Sequence, residues 1–315
     1  MNIENDIKVS VCVVTYNQEN YIAQCLESLV NQETNFRYEI IVGEDYSTDS
    51  TRAIVQSYVE RYPDLIVPLF YKNNIGAVEN IKQVYKKAKG KYIAHMDGDD
   101  MALPGKLQKQ FDILEDNPDC SICVHNMNAV DGSSNSMKRQ FTVFDEKKYS
   151  LIDMYLINPF FIHSSKMFVN KIDEYIDDLD QNALDIEVHI EQAKQGNIYF
   201  LKESLGIYRQ FVGVTYEGKL INPLIPARIQ DVYNRFEKDK FSLKQVNEVI
   251  NKYSYILLQY ANHYTLRNDF KSAKKYVKQS LMIKKNRYSI VFILIFINPY
   301  LLKFVLMFFN NYKKQ

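Results

Sequence analysis

Three apolar runs in this 315-residue chain end in clusters of oxygen-bearing side chains. Lys8–Thr15 (KVSVCVVT) leads into Thr15-Tyr16-Asn17, and Tyr38–Val42 into Gly43-Glu44-Asp45-Tyr46-Ser47-Thr48-Asp49. Lys91–Met96 leads into Met96-Asp97-Gly98-Asp99-Asp100. Three carboxylates this close repel one another, and persist cheaply only beside a cation or solvent. Hard divalent ions select oxygen ligands, and Mg2+ is typically held by one or two carboxylates plus substrate phosphates. Asp97, Asp99 and Asp100 therefore point to a metal-diphosphate site rather than a solvated turn. Ser, Thr, Asp and Asn are also preferred helix N-caps. Capping accounts for Asp49 or Ser50 but not for the crowded DGDD. No GxGxxG loop follows the first run and no GK[ST] loop occurs, which argues against a Rossmann dehydrogenase and a P-loop enzyme.

The elements that must carry these groups alternate. After the Lys8–Thr15 strand come a helix at Glu19–Val30, strand Tyr38–Val42, helix Ser50–Tyr62 and strand Ile66–Phe70. Helix Val78–Ala88 and strand Lys91–Met96 follow, then a helix to Asp116 opened by Pro104 as an N1 proline, then strand Cys120–Asn128. Such alternation predicts an α/β fold with parallel strands, whose ligands sit at the strands' carboxyl ends. From Asp131 to about Val214 the pattern turns α+β. It has a hairpin near Arg139–Phe144, a helix at Leu151–Ile157, a strand at Phe160–Val169, a helix at Asp185–Gln195 and short strands at Ile198–Leu201 and Ser204–Arg209. Beyond Pro226 the chain reads as helical, with Val246–Thr265 and Phe270–Ile283 joined by Arg267-Asn268-Asp269.

Composition narrows the function. Thirty-nine Lys+Arg against 38 Asp+Glu give a net charge of +1, which removes the basic face a nucleic-acid binder needs. Four cysteines form no disulfide framework, and Cys120/Cys123 have no second pair for zinc, so a reducing compartment is expected. Met1–Ser10 has no apolar core, so no secretory signal is expected there. Tyr288–Phe309 is almost wholly apolar between basic flanks, but Asn298-Pro299 and Lys303 interrupt it. A spanning helix needs about 20 apolar residues. An interfacial or re-entrant segment is therefore expected, with a buried helix pair as the alternative. The localisation that follows is cytoplasmic, peripheral on the inner face of the membrane.

The ordered motifs VVTYN, GEDYSTDST, NNIGAVEN and YIAHMDGDD resemble the nucleotide-binding half of the family-2 glycosyltransferases, which have the GT-A fold. The resemblance is close from Lys8 to about Asn128 and extends to about Tyr216. It implies a GT-A domain over residues 1–216, with a nucleotide-binding half (1–130) and an acceptor half (131–216). A helical extension (217–287) and a membrane-prone segment (288–315) complete the chain. The implied sheet is mixed and flanked by helices.

Carried over residue by residue, the resemblance implies donor contacts from Thr15, Tyr16, Asn17, Glu44, Asp45, Asn74, Gly76, Asp97 and Asp99. Asp99, with Asp97, would hold Mg2+ or Mn2+. Asp185, in Leu184-Asp185-Ile186-Glu187, stands at the catalytic-base position, where Leu184 replaces the acidic first member of the usual pair. Glu187 is the fallback, and an N-cap role for Asp185 the alternative. A positioned carboxylate is what deprotonating an acceptor hydroxyl requires. Arg209 matches a basic residue near the diphosphate, although Phe211 replaces the histidine common in relatives. His163 falls on the acceptor side.

The implied activity is inverting transfer of a sugar from a nucleotide-diphosphosugar to a glycan hydroxyl, in the manner of bacterial capsule, lipopolysaccharide or other cell-surface polysaccharide synthesis. The acceptor would be lipid-linked if the C-terminal segment meets the membrane. A sugar-phosphate nucleotidyltransferase would want a Gly-rich basic loop where Thr15-Tyr16-Asn17-Gln18 stands. A catalytically inactive GT-A-like scaffold is the other rival.

Overall fold

A computed structural model describes residues 6–132, 137–157, 160–210, 212, 222, 224–284 and 292–312. The chain forms two compact units, residues 1–221 and 222–315.

In the first unit, strand β1 (Ile7–Thr15) pairs in parallel with β2 (Arg37–Glu44) on one side and β4 (Tyr92–Asp97) on the other. Strand β3 (Ile66–Phe70) pairs in parallel with β2. These are the β-branched runs of the sequence, and a sheet buried on both faces favours continuous apolar strands of this kind. The helices between them bury one stripe each. Helix α1 (Ile22–Val30) turns Ile22, Cys25, Leu26 and Leu29 inward at i, i+3, i+4 and i+7. Helix α2 (Thr51–Arg61) buries Val55 and Tyr58, and α3 (Ala77–Lys87) buries Ile81, Val84 and Tyr85.

Beyond β4 the sheet becomes mixed. The strands there are β5 (Met101–Ala102), β6 (Cys120–Asp131), β7 (Met137–Gln140), β8 (Lys147–Tyr149), β9 (Lys166–Val169) and β10 (Asn197–Gln210). Their order is β3-β2-β1-β4-β9-β6-β10-β5, with β7 on β6 and β8 on β10. Strand β9 is antiparallel to both β4 and β6, whereas β10 runs parallel to β6. Helices α4 (Lys106–Asp116), α5 (Leu151–Leu156) and α6 (Asp185–Ala193) complete the unit.

Several elements depart from the sequence expectation. Pro104 does not open α4. Gly105 intervenes with φ +81°, and the helix begins at Lys106. Phe160–Val169 is not one strand, because a 3₁₀ turn at His163–Ser165 precedes β9 and only the last four residues pair. The expected strands Ile198–Leu201 and Ser204–Arg209 are one strand, β10, whose pairing with β6 slips between Leu201 and Ser204 and again before Ile207. Such bulges read in sequence as a break. The expected hairpin near Arg139–Phe144 is present as β7 against β6, but its strand ends at Gln140.

The second unit is helical among its described residues. Helix α7 (Leu224–Asn234) is followed by α8 (Leu243–Leu266) and α9 (Phe270–Ile283), which pack as a hairpin. Asp269 caps α9 by accepting from Ser272 N–H at 3.0 Å, and Asn268 takes the left-handed turn at φ +66°. Inside the hairpin the Ser254 and Ser280 hydroxyls lie 2.8 Å apart.

Pro299 does not kink a helix; it starts one. Asn298 Oδ1 accepts from Tyr300 and Leu301 N–H at 3.0 and 3.1 Å, and the helix runs Pro299–Tyr312. No helix among the described residues is long and apolar enough to cross a membrane. Residues 288–291 and 313–315 of the apolar segment lie outside the described residues.

The centre of the first unit sets its stability. Leu26 is fully buried in the core cluster that includes Val9, Val11 and Ile40, and Leu26→Ala is expected to cost about 2–5 kcal/mol. Urea unfolding followed by circular dichroism checks this through a lowered midpoint at unchanged slope.

Candidate active site

The carboxyl ends of β2, β1 and β4 form one edge, and the polar loops leave from it. Their backbones are tied together there. Asp45 N–H donates to Thr15 O at 3.0 Å, and Gly98 N–H to Val14 O at 2.9 Å. Gly98 is needed at that point, because a Cβ on it would stand 2.5 Å from Gln18 Oε1 and 2.9 Å from Thr15 Cβ. Thr15 Oγ1 in turn donates to Gln18 Oε1 at 2.8 Å. The DGDD loop is thus pressed onto the end of β1.

The β2 loop is organised by its own carboxylates. Asp45 is buried and accepts from Ile75 N–H at 2.7 Å and Gly76 N–H at 3.0 Å, which clamps the Asn74-Ile75-Gly76 loop to β2. Asn74 Nδ2 returns to Asp45 O at 3.2 Å. Gly76, at φ +87°, then starts α3. Glu44 is fully buried, and its oxygens are taken by Ser47 N–H at 2.7 Å and by an ion pair with Arg52. It braces the loop and does not face open space. Asn17 Oδ1 accepts from Thr48 N–H at 2.8 Å, joining the first two loops. Tyr16 is half-buried beside it.

Asp97 interacts electrostatically with three other acidic groups, Asp99, Asp100 and Asp185. Asp97 is the best compensated. Its Oδ1 accepts from His95 Nε2 at 3.1 Å and its Oδ2 from Ser164 Oγ at 3.1 Å. Burial would raise its pKa, but His95, Ser164 and the Lys166 charge together hold it below the usual carboxylate range. Asp100 is buried. One oxygen accepts from Arg209 N–H at 3.1 Å and Oδ2 has no hydrogen-bond partner, so burial and then the charges of Asp99 and Asp97 push its pKa well up. Asp99 is half-buried, and burial followed by the charge of Asp97 raises it to about 7. The loop carries more negative charge than the protein neutralises, and an orphaned carboxylate oxygen lies within it. Those features fit a divalent cation. Among the described residues no cluster of three or more His, Cys, Asp or Glu could hold one unaided.

Arg209 lies behind this loop. It is 4% exposed and donates to Asp99 O and to Gln24 Oε1, while its guanidinium sits 5.2 Å over the Tyr21 ring. It ties the DGDD backbone to α1. Phe211 lies outside the described residues.

Asp185 is the first residue of α6, where the helix N-terminus favours a negative charge. Leu184 holds the N-cap position, and the Asp185 carboxylate is two-thirds exposed. The protein mass around it, then the charge of Asp97, push its pKa up to about 6, against the opposing Lys166 cation. Glu187 is buried, and its Oε2 accepts from Leu184 N–H at 3.0 Å, which completes the first turn of α6. It is committed to the helix terminus. His163 is buried with Nδ1 3.7 Å from Asp185 Oδ1.

The expected residues Thr15, Asn17, Asp45, Asn74, Gly76, Asp97 and Asp99 therefore meet at one edge. Asp185 and His163 adjoin it through the His163–Ser165 turn. Sequence reading takes His95 for a core or rim residue and gives no role to Ser164, His189 or Lys166. The available signal was HSSK, four polar residues inside the apolar stretch FFI…MFV.

Residues 10–176, more than half of the chain, match the family described as glycosyl transferase family 2. The chain belongs to that family. An uncharacterized protein of Mycobacterium tuberculosis is 33% identical over 207 residues, 64% of this chain and 58% of its own length. The Bacillus subtilis protein named as teichuronic acid biosynthesis glycosyltransferase TuaG is 34% identical over 106 residues, 34% of this chain and 41% of its own. The chain thus spans less than two thirds of the curated relatives it matches. Staphylococcus aureus TarS 1–349, solved in complex with UDP-GlcNAc, matches with TM-score 0.56 at 18% identity, over 89% of this chain and 93% of that one. The mannosyltransferase PcManGT of Pyrobaculum calidifontis, solved with GDP-Man and Mn2+, matches with TM-score 0.56 at 14% identity, over 90% and 77%. Both likenesses establish the GT-A fold for this chain.

Gly98→Ala is expected to lift the DGDD loop off Thr15 and Gln18 and, on the function proposed below, to weaken nucleotide-sugar binding at least tenfold, about 1.4 kcal/mol. Titration calorimetry alongside a melting curve checks this. The melting midpoint should move little, because Gly98 lies at the end of the core rather than in it.

Proposed function

We propose that this family-2 glycosyltransferase moves a sugar from a nucleotide-diphosphosugar to a hydroxyl of a glycan acceptor, with inversion at the anomeric carbon. The carrying observation is the acidic group at the carboxyl edge of β4, where Asp97 interacts both with the undercompensated Asp99 and with Asp185 at the start of α6. Two neighbours of the same fold, solved with UDP-GlcNAc and with GDP-Man and Mn2+, support a nucleotide-sugar donor and a divalent ion.

Thr15, Tyr16, Asn17, Asp45 and the Asn74–Gly76 loop would frame the nucleoside, with Glu44 holding that frame through Arg52. Asp99, with Asp97 beside it, would hold Mg2+ or Mn2+, leaving the other coordination positions to donor oxygens. When bound, the ion neutralises charge growing on the leaving diphosphate. Asp185 takes the proton of the acceptor hydroxyl. That oxygen bonds to the anomeric carbon from the face opposite the diphosphate, and the nucleoside diphosphate leaves with the electron pair of the broken bond. A carboxylate raised to about 6 still ionises at neutral pH while accepting a proton more readily than an ordinary one. Arg209 fixes the DGDD backbone.

The acceptor is proposed to be a cell-surface polysaccharide precursor, which the name of the Bacillus subtilis relative supports. A cytoplasmic protein held at the inner membrane face is proposed with it. Ile293, Phe296, Ile297, Tyr300 and Leu301 are exposed on the C-terminal unit, while Ile295 and Leu302 are buried.

The first test is a thermal-shift screen with UDP-GlcNAc and GDP-Man, each with Mn2+ or a chelator, since a ligand specific to the native state raises stability by mass action. A metal-dependent shift is expected with one nucleotide class, lost in Asp99→Ala and kept in Asp185→Asn. Turnover should fall about 10²–10⁴-fold in Asp185→Asn. Wild-type turnover should decline below a pH of about 6 as Asp185 gains its proton. Binding without turnover would replace the transferase reading with that of a scaffold. Separately, wild-type protein should sediment with anionic vesicles, and a chain truncated before residue 288 should not; equal partitioning would refute the membrane role.

A further inference from the structure

Three histidines from three elements meet between the two carboxylates of the site, and none is used in the reaction above. His95 comes from β4, His163 from the 3₁₀ turn, and His189 from α6, four residues after Asp185 and so on its face. All three are buried. The His95 and His163 rings meet edge to face with centroids 3.8 Å apart, and His163 stacks on His189 at 5.0 Å. Lys166 is buried nearby, donating to Gln192 Oε1 at 3.2 Å.

The protons in this column can be assigned from its hydrogen bonds. His95 Nδ1 faces the Tyr85 hydroxyl at 2.9 Å and its Nε2 faces the Asp97 carboxylate, so Nε2 carries the hydrogen. His163 Nδ1 lies 2.9 Å from His189 Nε2 and 3.7 Å from Asp185 Oδ1, while His163 Nε2 is buried with no partner. A hydrogen on His163 Nε2 would bury an N–H with no acceptor and turn a lone pair toward a carboxylate. Both cost free energy. A hydrogen on Nδ1 instead donates to His189 Nε2 and presents its positive end to Asp185, which lies beyond hydrogen-bond distance. Burial keeps His163 and His189 neutral at neutral pH, and the nearby Lys166 and His95 act in the same sense.

We propose that His163 is the positioning residue of the base: its Nδ1–H, bonded to His189 Nε2, turns the positive end of its dipole to the Asp185 carboxylate 3.7 Å away and holds it toward the acceptor by that electrostatic contact. The next residue, Ser164, donates to Asp97, so one turn of chain fixes both the donor-side carboxylate and the base. The inference rests on Asp185 acting as the base.

The test begins without turnover. The chain has five histidines, so long-range 1H–15N correlation of histidine-labelled protein can separate them, with His163→Phe giving the assignment. His163 is expected as the Nδ1–H tautomer, and Asp185→Asn is expected to shift its ring nitrogens while Asp99→Ala does not. An Nε2–H tautomer, or no response to Asp185→Asn, overturns the proposal. In the donor assay, His163→Phe should lower kcat about tenfold, through loss of the base's orientation. Donor Kd should stay unchanged, and the acid limb of the kcat profile should move to higher pH, because a carboxylate that loses a nearby N–H dipole binds protons more tightly. His163→Asn, which keeps an N–H near the Nδ1 position, should restore part of the activity. A loss confined to donor affinity would overturn the role. Wild-type protein that shows the tautomer yet consumes no donor would refute the transferase reading, not the contact.

Discussion

Like charge gathered at the end of parallel strands is the constraint that the first unit is built around. Glu44, Asp45, Asp97, Asp99 and Asp100 all emerge from the edge formed by β2, β1 and β4. Burying an ionised carboxylate without a partner costs several kcal/mol. The protein meets that cost separately at each one. Glu44 receives Arg52 and a backbone N–H. Asp45 receives two backbone N–H groups, and Asp97 receives His95 and Ser164. Asp100 receives one, from Arg209. What remains uncompensated is concentrated at Asp100, which burial and the charges of Asp99 and Asp97 push well up, and at Asp99 and Asp185, which stand raised to about 7 and about 6. The surplus is local, and it falls where a cation and a transferred proton would be useful.

The short turn at His163–Ser165 is the means by which the two sides of the site share one frame. It follows directly into β9, the strand that runs against its neighbours β4 and β6. That reversal brings residues 163 and 164 back alongside the end of β4, where they meet Asp97. A strand continuing from Phe160, as the sequence pattern reads, would place alternate residues on opposite faces. His163 and Ser164 could not then serve adjacent carboxylates. Breaking the strand for one turn allows it.

The motif loops were legible in the sequence because each is local. An apolar run marks the strand, the polar cluster marks its end, and the parallel order places the clusters together. Family membership and fold followed from four such clusters in order. Less legible were features that depend on partners far along the chain. Glu187 reads as a second candidate base, but its partner is the backbone of Leu184, and only a resolved helix start shows the carboxylate occupied. Arg209 reads as a diphosphate ligand, yet its guanidinium binds Asp99 O and Gln24, 110 and 185 residues away. The histidine column joins residues 95, 163 and 189, and no periodicity announces it. Pro104 misled for a different reason: Gly105 takes a left-handed conformation that inserts a bend before α4.

The Arg209 contact also bears on how the chain is made. Synthesis runs from the N-terminus, and the β1–β4 half, with its acidic loop, emerges well before β10 does. Until residue 209 arrives, the DGDD backbone lacks the brace to α1, and Asp100 lacks its hydrogen bond. The nascent sheet therefore carries a self-repelling edge through the translation of about a hundred further residues, at roughly 5–20 residues per second. The last strand to be made is the one that locks the DGDD loop. Assembly of the pocket is consequently the closing event in the folding of the domain, and a ribosome-bound fragment ending before β10 would present strands without a finished site.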